Sequence, residues 1–273
     1  FMSSDRGKTW KSISSNLPDR TLLWRLVQDH KKPELMFLGT EYGVYFTNNA
    51  GKNWIQLKGG MPTISARDLA IQKREDDLVV GTFGRGIYIL DDYSALRSVD
   101  LEAEAQLFEP KAAEWFMQRR VLGSSKKASQ GDNFFVADNP PFGVNFTCFI
   151  KESYQSKAQK RKKAEQALEK NNQEVAVPEW SVLEEEMQAI DPAIWLFISD
   201  AEGKIIRKIK GNNSNGIQRI NWNFTTDAQN SVAKDNPERG ANGTWAGPGK
   251  YTAQLMKQIE GEFSALGQSV DFE

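Results

Sequence analysis

Along its first hundred residues the chain alternates apolar and polar positions in short bursts rather than at helical spacing. "WRLVQDH" (24–30) mixes the two kinds, "LMFLGT" (35–40) is apolar almost throughout, and "GVYFTNN" (43–49) and "NWIQL" (53–57) follow at turn-length intervals. Runs of this length read as four strands, and the continuous one is expected to be covered on both faces. A second set follows in "ARDLAIQK" (66–73), "DDLVVGTF" (76–83) and "GIYILDD" (86–92), which predicts three more strands. Gly39 and Gly81 of the two "GT" pairs lie 42 residues apart, and the short "REDD" turn accounts for a slip of two against the repeat described next.

From Leu107 the pattern changes, and a boundary falls near residue 100, dividing the chain into 1–100 and 101–273. A polar "GSSKKASQGDN" loop (123–133) precedes a strand in "NPPFGVNFTCFIKE" (139–152). "AIWLFISDAEGKIIRKIKG" (193–211) reads as a hairpin about "DAEGK", and "GIQRINWNF" (216–224) and "GKYTAQLMK" (249–257) as further strands. The polar stretch 225–246 shows no clear strand. "SYQSKAQKRKKAEQALEK" (153–170) is rich in helix formers, and "SVLEEEM" offers a second helix with Ser181 and Glu184 spaced as a capping box. A helical hairpin over about 153–190 is therefore expected between two strands, packed on its neighbours or serving as a docking arm. The fold class is mainly β: blade-like sheets first, then an Ig-like sandwich carrying this insertion.

Two stretches repeat. "SSDRGKTW" (3–10) and "TNNAGKNW" (47–54) share the form S/T-x-D/N-x-G-x-x-W, with Asp5 answered by Asn49, Gly7 by Gly51 and Trp10 by Trp54, each pair 44 residues apart. The same offset carries Leu17-Pro18 onto Met61-Pro62. A period of 40 to 50 residues marks stacked units that cannot bury their apolar faces alone. The motif itself suits a tight turn: a glycine at positive φ, a short polar side chain bonding its own backbone, and a tryptophan that pins the turn to the sheet. These six residues are read as structural.

Composition narrows the rest. Among 273 residues, 35 basic against 36 acidic side chains leave a net charge of -1, so no global field steers the chain to nucleic acid or an anionic membrane. No apolar run approaches membrane-spanning length. The single cysteine, Cys148, excludes an internal disulfide and any cysteine-based metal cluster, and its setting "NFTCFI" predicts a buried thiol. "FM" leading straight into the first motif reads as a cut, and "SVDFE" as a strand at the other end, so further blades of the same parent are expected as its nearest partner.

The paired motifs resemble the Asp-box, or BNR, repeat of sialidase-like and sortilin-like β-propellers. "GTFGRGIYILDDYSAL" resembles the end of the last blade in the bacterial members, and "NPPFG…FIKE", "ISDAEGKIIRKI", "GIQRINWNF" and "GPGKYTAQL" together are similar to the Ig-like domain that follows it. The resemblance implies Asp-box turns between third and fourth strands, on the face away from the ligand. The loops between second and third strands then line the ligand face, which nominates Glu41, Tyr42, Phe83 and Arg85. It also implies an extracytoplasmic setting and a non-catalytic module that recognises protein, peptide or glycan. The alternative is an accessory part of a glycoside hydrolase whose acid and base lie in other blades.

Signals for chemistry within the chain are faint. The only histidine, His30, beside Asp29, reads as a rim residue rather than one of the three or four convergent donors of a zinc site. "GTFGRG" (81–86) sits between two strands and opens no helix, so it reads as a turn and not as a phosphate loop. No carboxylate pair stands out for glycoside hydrolysis. Arg25, Arg67 and Arg85 with Tyr42 or Tyr88 only faintly suggest the arginine cluster and tyrosine of a sialidase. The cluster Lys157 to Lys163 lacks interleaved aromatics, which argues against nucleic acid. Four N-x-S/T triplets, at Asn145, Asn212, Asn223 and Asn242, matter only where the chain meets a glycosylation machinery. No catalytic residue, cofactor or metal is assigned.

Overall fold

The computed structural model describes residues 1–116, 141–228 and 242–273. The loop read at 123–133 and the middle of the stretch 225–246 lie outside the described residues. The chain divides into two compact units, 1–99 and 100–273. Both are built from antiparallel strands, and the fold is mainly β.

In the first unit β1 (Leu23–Gln28), β2 (Met36–Thr40), β3 (Gly43–Thr47) and the two-residue β4 (Ile55–Gln56) form one meander in that order. The expected strand 53–57 is shorter because the Asn53 amide is held by Asn49 of the preceding turn and the Trp54 amide by Asn16. β5 (Ala66–Gln72), β6 (Asp77–Thr82) and β7 (Ile87–Leu90) form a second, three-stranded sheet, and β5 runs beside β1 and β2. Every residue of β2 is buried, as its unbroken apolar run requires. On one side Met36, Leu38 and Trp54 form a cluster with Ile13 and Leu17 packed against it. Toward the second sheet, Phe37 meets Tyr93 edge-on at 4.9 Å. A side chain on Gly39 would come within 2.6 Å of the Ala66 carbonyl, so the glycine permits the close approach of β2 to β5.

The second unit is a sandwich. One sheet runs β11 (Ile205–Lys210), β10 (Ala193–Ser199), β15 (Tyr251–Ile259), β16 (Glu262–Ala265), with β17 (Val270–Phe272) also paired to β15. The other runs β12 (Gly216–Trp222), β9 (Val144–Ile150), β8 (Ala105–Leu107). Alternate residues of β10, Ile194, Leu196 and Ile198, face Phe146, Cys148 and Trp222 in one fully buried core. Each such aliphatic side chain contributes about 1.5–3 kcal/mol. Burial pushes the Cys148 thiol up to about 12, which leaves it inert.

Two expectations need correction. The stretch 225–246 holds strands at both ends, β13 (Thr225–Asp227) and β14 (Asn242–Trp245), paired to each other. They are too short for a period to show, and the pairing is set by the chain folding back rather than by either segment. The helical hairpin is present as α1 (Lys157–Lys170) and α2 (Trp180–Gln188), but the capping box is not at Ser181 and Glu184. Helix α2 starts earlier, with Glu179 as an N-cap that makes no side-chain bond, so Ser181 is already helical. The capping box is on α1 instead: Ser156 Oγ accepts from the Gln159 amide, and the Ser156 amide donates to Gln159 Oε1.

Candidate functional site

The meanders of the first unit have two ends. At one lie the β1–β2 and β5–β6 turns together with the β3–β4 turn, 47–54. At the other lie the β2–β3 and β6–β7 turns, which carry Glu41, Tyr42, Phe83 and Arg85.

The first end is built for rigidity. In the turn 47–54, Thr47 Oγ1 accepts from the Gly51 amide at 3.0 Å and donates to Asn49 Oδ1 at 2.8 Å, while Asn49 Oδ1 accepts from the Asn53 amide. The earlier turn repeats this bond for bond. Ser3 Oγ accepts from the Gly7 amide at 2.7 Å and donates to Asp5, and Asp5 accepts from the Thr9 amide. Hydrogen bonds from the Thr9 side chain and amide hold the Asp5 carboxyl down at about 2. Gly7 and Gly51 both sit at positive φ, 85° and 79°.

The same end holds a paired-charge tie. Arg97, on a short 3-10 turn (Ser94–Arg97), donates to both oxygens of Asp29 at 2.8 and 2.9 Å and to both of Asp76 at 2.7 and 2.9 Å. Lys31 Nζ adds a bond to Asp76 at 3.0 Å, and the Tyr93 hydroxyl one to Asp29 at 2.6 Å. Burial alone would raise the Asp29 carboxyl, but bonds from Arg97, Tyr93 and the Lys32 amide hold it far below the usual range. Asp76 is held at about 2, chiefly by Arg97. His30 bridges the two carboxylates, its ring nitrogens 3.5 Å from Asp29 and 3.3 Å from Asp76. Ligand atoms of Asp29, His30 and Asp76 lie within 4.8 Å of one another, the span of a metal site. Arg97 and Lys31 already neutralise both carboxylates, so the cluster is a tie between the turns of two sheets. Of this cluster the sequence pattern singles out only His30, beside Asp29, as a rim residue; Asp76 and Arg97 lie 46 and 67 positions further along and are joined to it only by folding.

The second end is where the chain presents unsatisfied chemistry. The registers of β1 and β5 each slip at the same place: Leu23 pairs with Thr40 and Arg25 with Gly39, while Ala66 pairs with Thr82 and Asp68 with Gly81. Trp24 and Arg67 are therefore the extra residues of two equivalent β-bulges, devices that re-aim a side chain out of the ladder. The two side chains meet. The Arg67 guanidinium lies 3.7 Å from the Trp24 ring centroid and 5.1 Å from that of Phe83. Among the described residues it makes no hydrogen bond or ion pair, so its polar edge faces solvent. Trp24 and Phe83 are themselves exposed.

Of the four nominated residues, only Phe83 joins this stack. Arg85 stands exposed in the same β6–β7 turn. Glu41 is committed to its own sheet, accepting from the Leu22 amide at 3.2 Å. Tyr42 borders a separate shallow cleft of about 150 Å³ with Gln56 and Met61. Arg25 turns to Asp68 at 3.4 Å, so Arg25, Arg67 and Arg85 converge on no shared partner among the described residues. Trp24 was missed because a bulge is a mismatch between two strands, which neither strand shows alone.

No protein family matches the chain by its sequence profile, and no curated protein matches it. Among solved structures it is similar to PorZ, described as an essential bacterial surface component of the type-IX secretion system of Porphyromonas gingivalis, at 14% identity and a TM-score of 0.22. The similarity covers 92% of this chain and 30% of PorZ. A TM-score of that size does not equate the two folds.

Proposed function

We propose that this chain is a non-catalytic binding or scaffolding module, the end of a sortilin-like or BNR-repeat propeller with its Ig-like domain, acting outside the cytoplasm. The observation that carries the reading is the Trp24–Arg67–Phe83 stack, where two bulges aim an aromatic ring and a free guanidinium into solvent at the end away from the Asp-box turns. Such a surface grips a ligand through stacking and charge without any group placed to break a bond. Further blades of the same parent complete the ring; the exposed apolar residues Leu26, Ile87 and Ile89 supply faces for them to cover. The ligand is a protein, peptide or glycan. No described helix is long and apolar enough to cross a membrane.

The test is binding of the full parent protein to glycan and peptide arrays, repeated with Trp24→Ala and Arg67→Ala. At least tenfold weaker binding in both variants supports the site. Unchanged binding removes it, and turnover of any arrayed glycan by this module overturns the non-catalytic reading.

A further inference from the structure

We propose that this chain pairs with a second copy of itself through the outer face of its helical hairpin, α2 of each copy docking against α1 of the other. Neither helix has a buried residue. The hairpin is held inward by ions instead: Arg161 donates to both oxygens of Glu186 at 2.8 and 2.9 Å and to Glu165 at 2.6 Å, while Lys157 reaches Glu185 at 2.6 Å and Glu260 at 3.2 Å. What faces outward is unusual for a solvated helix. Trp180 is 70% and Met187 68% exposed, one above the other at i and i+7, with Val177 and Ile190 exposed at the two ends of the stripe. Exposed Trp and Met at the centre of a patch are the residues enriched at protein interfaces.

The charges around that stripe identify its occupant. Glu179, the N-cap of α2, and Glu184 within it flank Trp180 and make no ion pair among the described residues, which repels an anionic bilayer and calls for a basic partner. The chain carries that partner itself. Helix α1 presents Lys160 and Lys163 outward, one turn apart, with the small Ala164 and Ala167 exposed beside them as room for a large side chain. An acidic, aromatic helix beside a basic, small-residue helix is self-complementary under a two-fold axis, because each copy offers both halves of the same contact. The helices are about 21 and 14 Å long at 1.5 Å per residue. That footprint is at the small end of stable interfaces, so the association is expected to depend on concentration.

Sedimentation velocity of the whole chain over a concentration series tests the pairing. A reversible dimer is expected. Trp180→Ala with Met187→Ala weakens it by at least about tenfold, with helix content unchanged by circular dichroism. Two charge variants carry the decisive comparison, Lys160→Glu with Lys163→Glu in one and Glu179→Lys with Glu184→Lys in the other. None of these four residues belongs to the inner ion clamp, so the hairpin survives. Each variant alone is expected to be monomeric, and an equimolar mixture to recover the dimer, since both halves of the contact are then opposite in charge. A wild-type chain that stays monomeric, a dimer indifferent to these changes, or a mixture that fails to pair overturns the proposal.

Discussion

The turns 3–10 and 47–54 have nearly the same sequence, the same hydrogen bonds and the same glycine conformation, yet they do different work. The pairing that closes them is also equivalent: Met2 bridges Lys11 as Phe46 pairs with Ile55, each 44 residues on. The difference is in what lies above. Trp54 is 4% exposed, and its indole nitrogen donates to the Ile13 carbonyl at 2.6 Å, while Asn16 bonds both the amide and the carbonyl of Trp54. Trp10 is 65% exposed and has no such cover. The segment 13–17 that leaves the first turn is the lid of the second. A turn of this kind therefore contributes little alone; its value comes from the stretch of chain that the preceding unit lays across it. Where a third copy would fall, at 91–98, the motif is gone and the Asp29–Arg97–Asp76 tie stands in its place.

The largest effects should come from removing what is particular to the covered turn and to the tie. Arg97→Met leaves two buried carboxylates without their shared cation, and the first unit should lose about 3–5 kcal/mol in denaturant unfolding. Trp54→Ala empties a packed site and should cost a similar 3–5 kcal/mol, while Trp10→Ala stays within about 0.5 kcal/mol. Equal losses at the two tryptophans would end the comparison. Next comes acid. Asp29 and Asp76 bind protons more weakly folded than unfolded, so their stabilisation is complete above about pH 5 and drains away as pH falls toward about 2. A pH series of thermal unfolding should show this limb in the wild type and a weaker one in Arg97→Met, whose carboxylates keep only the Tyr93 hydroxyl, the Lys32 amide and Lys31.

Smaller effects sharpen the contrast between the glycines. A methyl on Gly51 would sit 2.7 Å from the Ile13 side chain, whereas one on Gly7 meets only its own Trp10 at 3.8 Å. Both substitutions carry the cost of positive φ, about 1–2 kcal/mol, and only Gly51→Ala adds a clash with the lid. In the second unit Ser156→Ala should cost about 1 kcal/mol through the lost α1 cap, and Ser181→Ala almost nothing. Melting curves for the pair decide which serine caps a helix.

The sequence by itself determined the longer strands of both units and the hairpin helices, because those depend on local period and propensity; the short β8, β13, β14 and β16 carry no such period. It also determined the two turns, since the polar atom, the glycine and the backbone they serve lie within a few residues of one another. It located Cys148 in a core, because an apolar strand on both sides leaves nowhere else for it. Tertiary structure alone decided the rest. The bulges at Trp24 and Arg67 exist only as a mismatch between paired strands, and their meeting needs two neighbouring sheets. The tie around Arg97 joins residues up to 68 positions apart, and the burial that makes it strong comes from packing that no segment contains. Trp10 and Trp54 show the same division most simply: the same letter in equivalent turns, told apart by whether another part of the chain passes over it.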